Sequence, residues 1–174
     1  MSFGKVDRWF TRSKRLLVAI AMCSGLILLQ GRFRLGVVIG DSMLPGLTTG
    51  DILLIHKRAY DAANPGRGDV VLARFGNESI VKRVVGLPGE EVALQFGRIY
   101  VNGEAVAEPQ KTLPGTLSIN PGRLFRDRFA LLGDNRTAGL STFVHAVVSK
   151  DEIVGKVVAT FHVGHFPVAW LTTD

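Results

Sequence analysis

Two residues of this chain combine the type and the setting needed for nucleophilic chemistry, Ser42 and Lys82. Ser42 lies in Gly40-Asp41-Ser42-Met43-Leu44-Pro45-Gly46-Leu47, followed by Gly50-Asp51. It comes directly after the strand-like Val37-Val38-Ile39, and the glycine and proline around it make a turn. Such a turn displays a hydroxyl and aims backbone N–H groups at one point, as a developing oxyanion requires. A serine in a Gly/Pro turn is ordinarily only a turn residue, so the motif acquires meaning through a base that activates the hydroxyl.

Histidine is the usual base. The chain has four, His56, His145, His162 and His165, and the last two sit near the C-terminus, where surface or packing roles are ordinary. A neutral lysine is the other base with precedent, provided desolvation lowers its pKa toward working pH. Lys82 fits that demand by pattern. In Ser79-Ile80-Val81-Lys82-Arg83-Val84-Val85-Gly86, side chains alternate faces along a strand, so Lys82 shares a face with Ile80 and Val84. Arg83 shares the other with Val81 and Val85, and its replacement by Lys is expected to be mild. One of the two charges must face an apolar layer, which is costly unless the group is neutral or paired. An edge strand with both charges in solvent is the alternative.

The elements that must hold these residues are short strands. Beyond residue 36, apolar runs at 37–39, 52–55, 70–75, 80–85, 97–101, 129–132 and 153–161 are separated by turn signals such as Pro65-Gly66, Pro88-Gly89, Pro114-Gly115 and Pro121-Gly122. Asn102-Gly103 suits a tight hairpin, since both residue types tolerate positive φ. The pattern predicts an all-β domain. Residues 104–128, with three prolines and mixed charge, read as a long connection or irregular insert.

The chain has 174 residues and a formal net charge of +6. Residues 1–40 hold seven basic groups and one acid, and the remaining 134 residues hold 14 of each sign, so the excess belongs to the N-terminus. A nucleic-acid footprint on the folded part is therefore not indicated. The basic segment adjoins an uncharged apolar run at 16–29, LLVAIAMCSGLILL. Fourteen residues is short against the roughly 20 of a full span, but Trp9, Phe10, Phe33 and Leu35 can lengthen the buried stretch, with Arg15 and Arg32 snorkelling. A cleaved secretory signal would show a small-x-small site after the run, and Gln30-Gly31-Arg32-Phe33 lacks it. Five basic residues precede the run and two follow it, which predicts residues 1–15 in the cytoplasm and the rest outside. The expected organisation is a basic segment and anchor over 1–35 and a β domain over 36–174. The single Cys23 excludes an intrachain disulfide. No Cys/His cluster has ligand spacing, so neither metal nor cofactor is expected.

Together these residues carry a resemblance. Gly-Asp-Ser42-Met43-x-Pro45-x-Leu47-x-x-Gly50-Asp51 resembles the nucleophile motif of type I signal peptidases. Arg67-Gly68-Asp69-Val70-Val71 is similar to their next motif, residues 82–89 to the general-base motif, and Gly133-Asp134-Asn135-Arg136 to the last. The four stand in the family's order and, with the N-terminal anchor, cover about residues 10–160. The resemblance implies an antiparallel β catalytic domain on the outer face of the plasma (inner) membrane, behind a single N-terminal helix. It implies signal-peptide-bearing preproteins and the lipid bilayer as partners. It further implies that Ser42 attacks the scissile carbonyl, Lys82 takes its proton, and the Ser42 N–H binds the oxyanion. The substrate would enter extended between residues 35–39 and 79–82, over shallow pockets of Val38, Ile39, Met43, Leu47, Ile80 and Val81. Three departures stand out. Gly40 replaces a frequent hydroxyl residue, so backbone must serve the oxyanion, and Gly46 replaces a threonine. An ungapped match puts Gly139 where a serine normally orients the lysine, so that hydroxyl either comes from Thr137 or Ser141 after a loop shift or is absent. A specialised peptidase of one secretion or conjugation system, or a degenerate membrane-tethered scaffold, are the neighbouring readings. An esterase of the GDSL type would need Asp-x-x-His, which none of the histidines has. A self-cleaving repressor would need an Ala-Gly bond upstream of the serine, and the Ala-Gly here, Ala138-Gly139, lies downstream.

Overall fold

Alternation of apolar and polar residues makes strands, and eleven of them arrange into two antiparallel sheets in the computed structural model, which describes residues 31–137 and 145–162. In chain order they are β1 Phe33–Val37, β2 Ile52–His56, β3 Val70–Phe75, β4 Glu78–Gly86, β5 Glu91–Gln95, β6 Arg98–Val101, β7 Glu104–Ala105, β8 Ile119–Arg123, β9 Arg128–Leu132, β10 His145–Ser149 and β11 Ile153–Phe161. The larger sheet has the order β1-β2-β11-β3-β4-β9-β10 and the smaller β7-β6-β5-β8. The all-β antiparallel expectation holds. The expected anchor at 16–29 lies outside the described residues, among which no helix is long and apolar enough to cross a membrane.

Strand β4 is central, with β3 on one side over Val70↔Arg83 to Phe75↔Glu78. On the other side β9 pairs only from Arg83 onward, through Arg83↔Leu132, Val84↔Leu131 and Gly86↔Ala130. The edge of residues 78–82 that faces away from β3 is thus not paired to β9. Lys82 is buried all the same, so the alternative of an edge strand with both charges in solvent fails. One core cluster (Val71, Ile80, Val84, Phe129, Leu131, Val148) lies on the Lys82 face of β4. A second (Val38, Met43, Leu47, Leu53, Ile55, Leu72) packs beneath the serine turn. The smaller sheet has its own core around Leu94, Ile99 and Leu124.

Several expectations need correction. Residues 37–39 are not a strand as a unit. The strand is β1, ending at Val37, and the Val38 N–H donates to Asp51 O at 2.9 Å while Val38 O accepts from Gly50 N–H at 2.9 Å. That pairing turns the chain out of the sheet and presents Ser42. The span 104–128 is not wholly irregular, since it contains β7 and β8. Strand β8 tolerates Pro121 because it is an edge strand and needs no donor there. Strand β5 was hidden because its hairpin to β6 turns at Phe96-Gly97 rather than at a signature pair, with φ of 47° and 75°. The Asn102-Gly103 turn does have positive φ at both residues, 51° and 86°.

Candidate active site

The turn after β1 and the middle of β4 converge. Lys82 Nζ donates to Ser42 Oγ at 2.5 Å. Lys82 is only 3% exposed although it is a lysine, because its face of β4 packs on apolar neighbours. Burial pushes its pKa down to about 8, against the opposing pull of the nearby Asp134 carboxylate, which favours the charged form. A neutral amine within hydrogen-bond reach of a serine hydroxyl is able to accept its proton.

Ser42 and Lys82 open onto a groove of about 460 Å³, walled by residues of β1 and its extension on one side and by the start of β4 on the other. Of the pocket residues expected from sequence, Val38, Met43 and Ile80 are buried in its floor, Val81 is half-buried, and Ile39 is exposed at its rim. Leu47 is corrected: it is buried in the core beneath the turn and does not line the groove. Leu53, Ile55 and Leu72 line it and were missed, since nothing in sequence separates them from ordinary core residues of β2 and β3. Gly40 lines the groove with φ of 93°, a left-handed conformation that glycine adopts without penalty. Its N–H donates to Thr49 Oγ1 at 3.0 Å, so Gly40 does not offer that group to a ligand.

The segment Gly133-Asp134-Asn135-Arg136 braces both partners. Asp134 is buried and accepts two bonds from Arg83, Nε to Oδ1 at 2.9 Å and Nη2 to Oδ2 at 2.6 Å. The expectation that Arg83→Lys is mild took no account of this pair, in which the guanidinium neutralises a buried carboxylate beside Lys82. Asn135 holds the serine turn: its N–H donates to Ser42 O at 3.0 Å and its Nδ2 to Asp41 O at 3.0 Å. Arg136 is buried and meets Glu108 through two bonds of 2.7 and 2.5 Å. It also donates to Gly97 O in the smaller sheet's hairpin at 2.5 Å, and from Nε to Gly133 O at 3.4 Å. Thr137, one of two candidates to orient Lys82, instead donates its hydroxyl to Asn135 Oδ1 at 2.6 Å. The other, Ser141, lies outside the described residues, as does Gly139. Among the described residues no group of His, Cys, Asp and Glu is placed to hold a metal ion. His162, read from sequence as surface or packing, pairs through Nδ1 with the buried Asp51 at 2.9 Å and so helps fix the far end of the serine turn.

An antiparallel β domain with a serine and a buried lysine hydrogen-bonded at the end of an open groove has the make-up of a serine peptidase. Residues 9–162 match the family described as signal peptidase, peptidase S26, and the chain belongs to that family. It is 34% identical to a signal peptidase I of Bacillus caldolyticus, over 84% of this chain and 88% of that one. It is 27% identical to a probable signal peptidase I-2 of Synechocystis sp., over 89% of this chain and 74% of the other. A signal peptidase IB of Staphylococcus aureus is also 27% identical, over 81% and 85%.

Proposed function

We propose that this chain is a membrane-anchored endopeptidase that removes signal peptides from exported preproteins, with Ser42 as nucleophile and Lys82 as general base. The observation that carries the reading is the 2.5 Å bond between Lys82 Nζ and Ser42 Oγ with the lysine buried. In the acylation step the neutral amine takes the hydroxyl proton as Oγ attacks the scissile carbonyl, and the ammonium then gives that proton to the leaving amine. Water, deprotonated by the same lysine, hydrolyses the ester. The substrate lies extended in the groove and adds to the unpaired edge of residues 78–82, in the manner of β-augmentation. The names of the relatives support preproteins as substrates.

Membrane attachment rests on the apolar run at 16–29 and its basic flank. Exposed Leu35, Val37 and Ile39, which follow within ten residues of that run, fit a face turned toward the bilayer. The test is cleavage of a preprotein by the full chain in detergent. Ser42→Ala and Lys82→Ala proteins of unchanged melting temperature should be inactive, and cleavage by either would overturn the assignment.

A further inference from the structure

The serine turn lacks a side chain at residue 40, and the Gly40 N–H is taken by Thr49 Oγ1 at 3.0 Å. Among the described residues the Ser42 N–H has no hydrogen-bond partner. That N–H is therefore the donor the turn offers to a carbonyl oxygen at the nucleophile, and its direction is set by the Asp41–Ser42 peptide plane. A trans peptide is rigid, so fixing its carbonyl fixes its N–H on the opposite side. The carbonyl accepts two bonds, from the Leu44 N–H of the turn itself at 3.1 Å and from one side chain, Asn135 Nδ2, at 3.0 Å.

An asparagine amide serves that purpose only if its nitrogen, not its oxygen, faces the carbonyl. Thr137 decides this: its N–H donates to Asn135 Oδ1 at 3.1 Å and its Oγ1–H at 2.6 Å. Two donors on one oxygen leave Nδ2 pointing at Asp41. We infer that Thr137 and Asn135 form a relay that sets the oxyanion donor: the threonine orients the amide, the amide holds the Asp41 carbonyl, and the peptide plane aims the Ser42 N–H. Both are positioning residues, since neither meets the reacting atoms. Bonds in such a chain polarise one another, so the Ser42 N–H is also a stronger donor than a free amide. The missing side-chain donor at residue 40 makes the remaining backbone donor correspondingly dependent on this support.

This inference rests on Ser42 being the nucleophile, and the experiment separates the two. Full-length protein in detergent is assayed on a peptide spanning a signal-peptide cleavage site, as wild type, Thr137→Val, Thr137→Ser, Asn135→Asp and Ser42→Ala. Affinities are measured for a peptide aldehyde, whose adduct with a serine hydroxyl is tetrahedral and places an oxyanion in the site, and for the matching unreactive alcohol. Loss of a single oxyanion donor costs about 10²–10³ in kcat. Misaiming it through Asn135→Asp, which sets a carboxylate oxygen against Asp41 O, should lower kcat by about 30-fold or more with little change in KM. Thr137→Val should lose about 3- to 10-fold, and Thr137→Ser should recover most of that loss. Aldehyde affinity should fall in step with kcat/KM while alcohol affinity holds. Thr137 is exposed, so its substitution leaves the core intact and keeps the test decisive even if Asn135→Asp fails to fold. If Thr137→Val keeps wild-type kcat, or aldehyde and alcohol affinities fall together, while Ser42→Ala is inactive, the relay is wrong and Ser42 stands. If Ser42→Ala stays active, the nucleophile assignment falls and the relay falls with it.

Discussion

Arg83 and Asp134 are joined by two parallel bonds of 2.9 and 2.6 Å, one residue along the strand from the lysine that meets Ser42. Adjacent cations on β4 thus meet opposite fates. Arg83 has its charge matched by a carboxylate, and it anchors to Gly68 O at 2.8 Å as well. Lys82 is held where its charge is disfavoured. Because Asp134 pulls the Lys82 pKa up, the arginine that neutralises Asp134 helps keep Lys82 titratable near pH 8.

Arg83→Lys should therefore be damaging. An ammonium makes one point contact where the guanidinium makes two. Asp134 would keep more uncompensated charge, Lys82 would hold its proton more tightly, and the rising limb of activity should move to higher pH. Asp134→Asn should move it to lower pH. Rate profiles of both variants check the pair of shifts, and movement in the same direction would contradict this electrostatic coupling. A stability loss of about 1–2 kcal/mol for Arg83→Lys, read by urea denaturation, should accompany it.

Lys82→Arg should be nearly as inactive as Lys82→Ala, although it preserves the charge. Arginine stays protonated at any workable pH and cannot take the Ser42 proton. Removing a nucleophile–base partner costs on the order of 10⁴ in rate. Turnover of the two variants on a preprotein checks this, and a tenth of wild-type activity in Lys82→Arg would exclude the lysine base.

The same burial makes stability depend on pH. Burial lowers the Lys82 pKa from 10.5, its ordinary value in an unfolded chain, to about 8 in the folded protein, so between those values the unfolded chain binds the extra proton. Stability then rises with pH across this window relative to its value below 8. Lys82→Met should flatten that rise. Denaturant midpoints at pH 7.5 and 9.5 for both proteins provide the measurement, and equal slopes would show that the lysine is not desolvated in solution.

Gly115→Ala should destabilise strongly. A Cβ at residue 115 would lie 1.6 Å from Arg136 O and 2.4 Å from Arg136 C, and backbone cannot yield as a side chain can. Overpacking of this kind costs about 3 kcal/mol. Activity should fall too, since Leu113 and Arg136 are tied through Leu113 O at 2.9 Å and the bracing segment would shift. Gly122→Ala, whose Cβ would meet nothing within 4 Å, is the control.

Topology is testable by labelling. With cysteines placed at Ser2 or Thr173 in a Cys23→Ser background, only the Thr173 site should react with an impermeant thiol reagent in intact cells. The five-to-two basic asymmetry around the apolar run predicts this direction.

Much of the frame was readable from residue pattern alone. Alternation in β4 separated Lys82 from Arg83, and turn chemistry marked the Asn102-Gly103 hairpin. What stayed hidden depended on contacts between distant segments. Arg83 reads as a solvent-facing cation until Asp134, 51 residues away, is brought beside it. Thr137 carries a free-looking hydroxyl two residues from its real acceptor, and no spacing rule distinguishes Asn135 from Lys82 as its target. Leu47 and Leu72 are equally apolar in sequence. Which of them faces the groove depends on how the turn crosses the sheet.

The late start of the β4–β9 pairing has a consequence for what can be cut. An extended chain can fill the row of backbone donors and acceptors along residues 78–82, unpaired among the described residues, only if its own backbone is unsatisfied. Strands and helices inside a finished protein have already used theirs. On the proposed binding mode the geometry would act as a filter on conformational history, admitting polypeptide that has not yet folded and sparing the same sequence once it has.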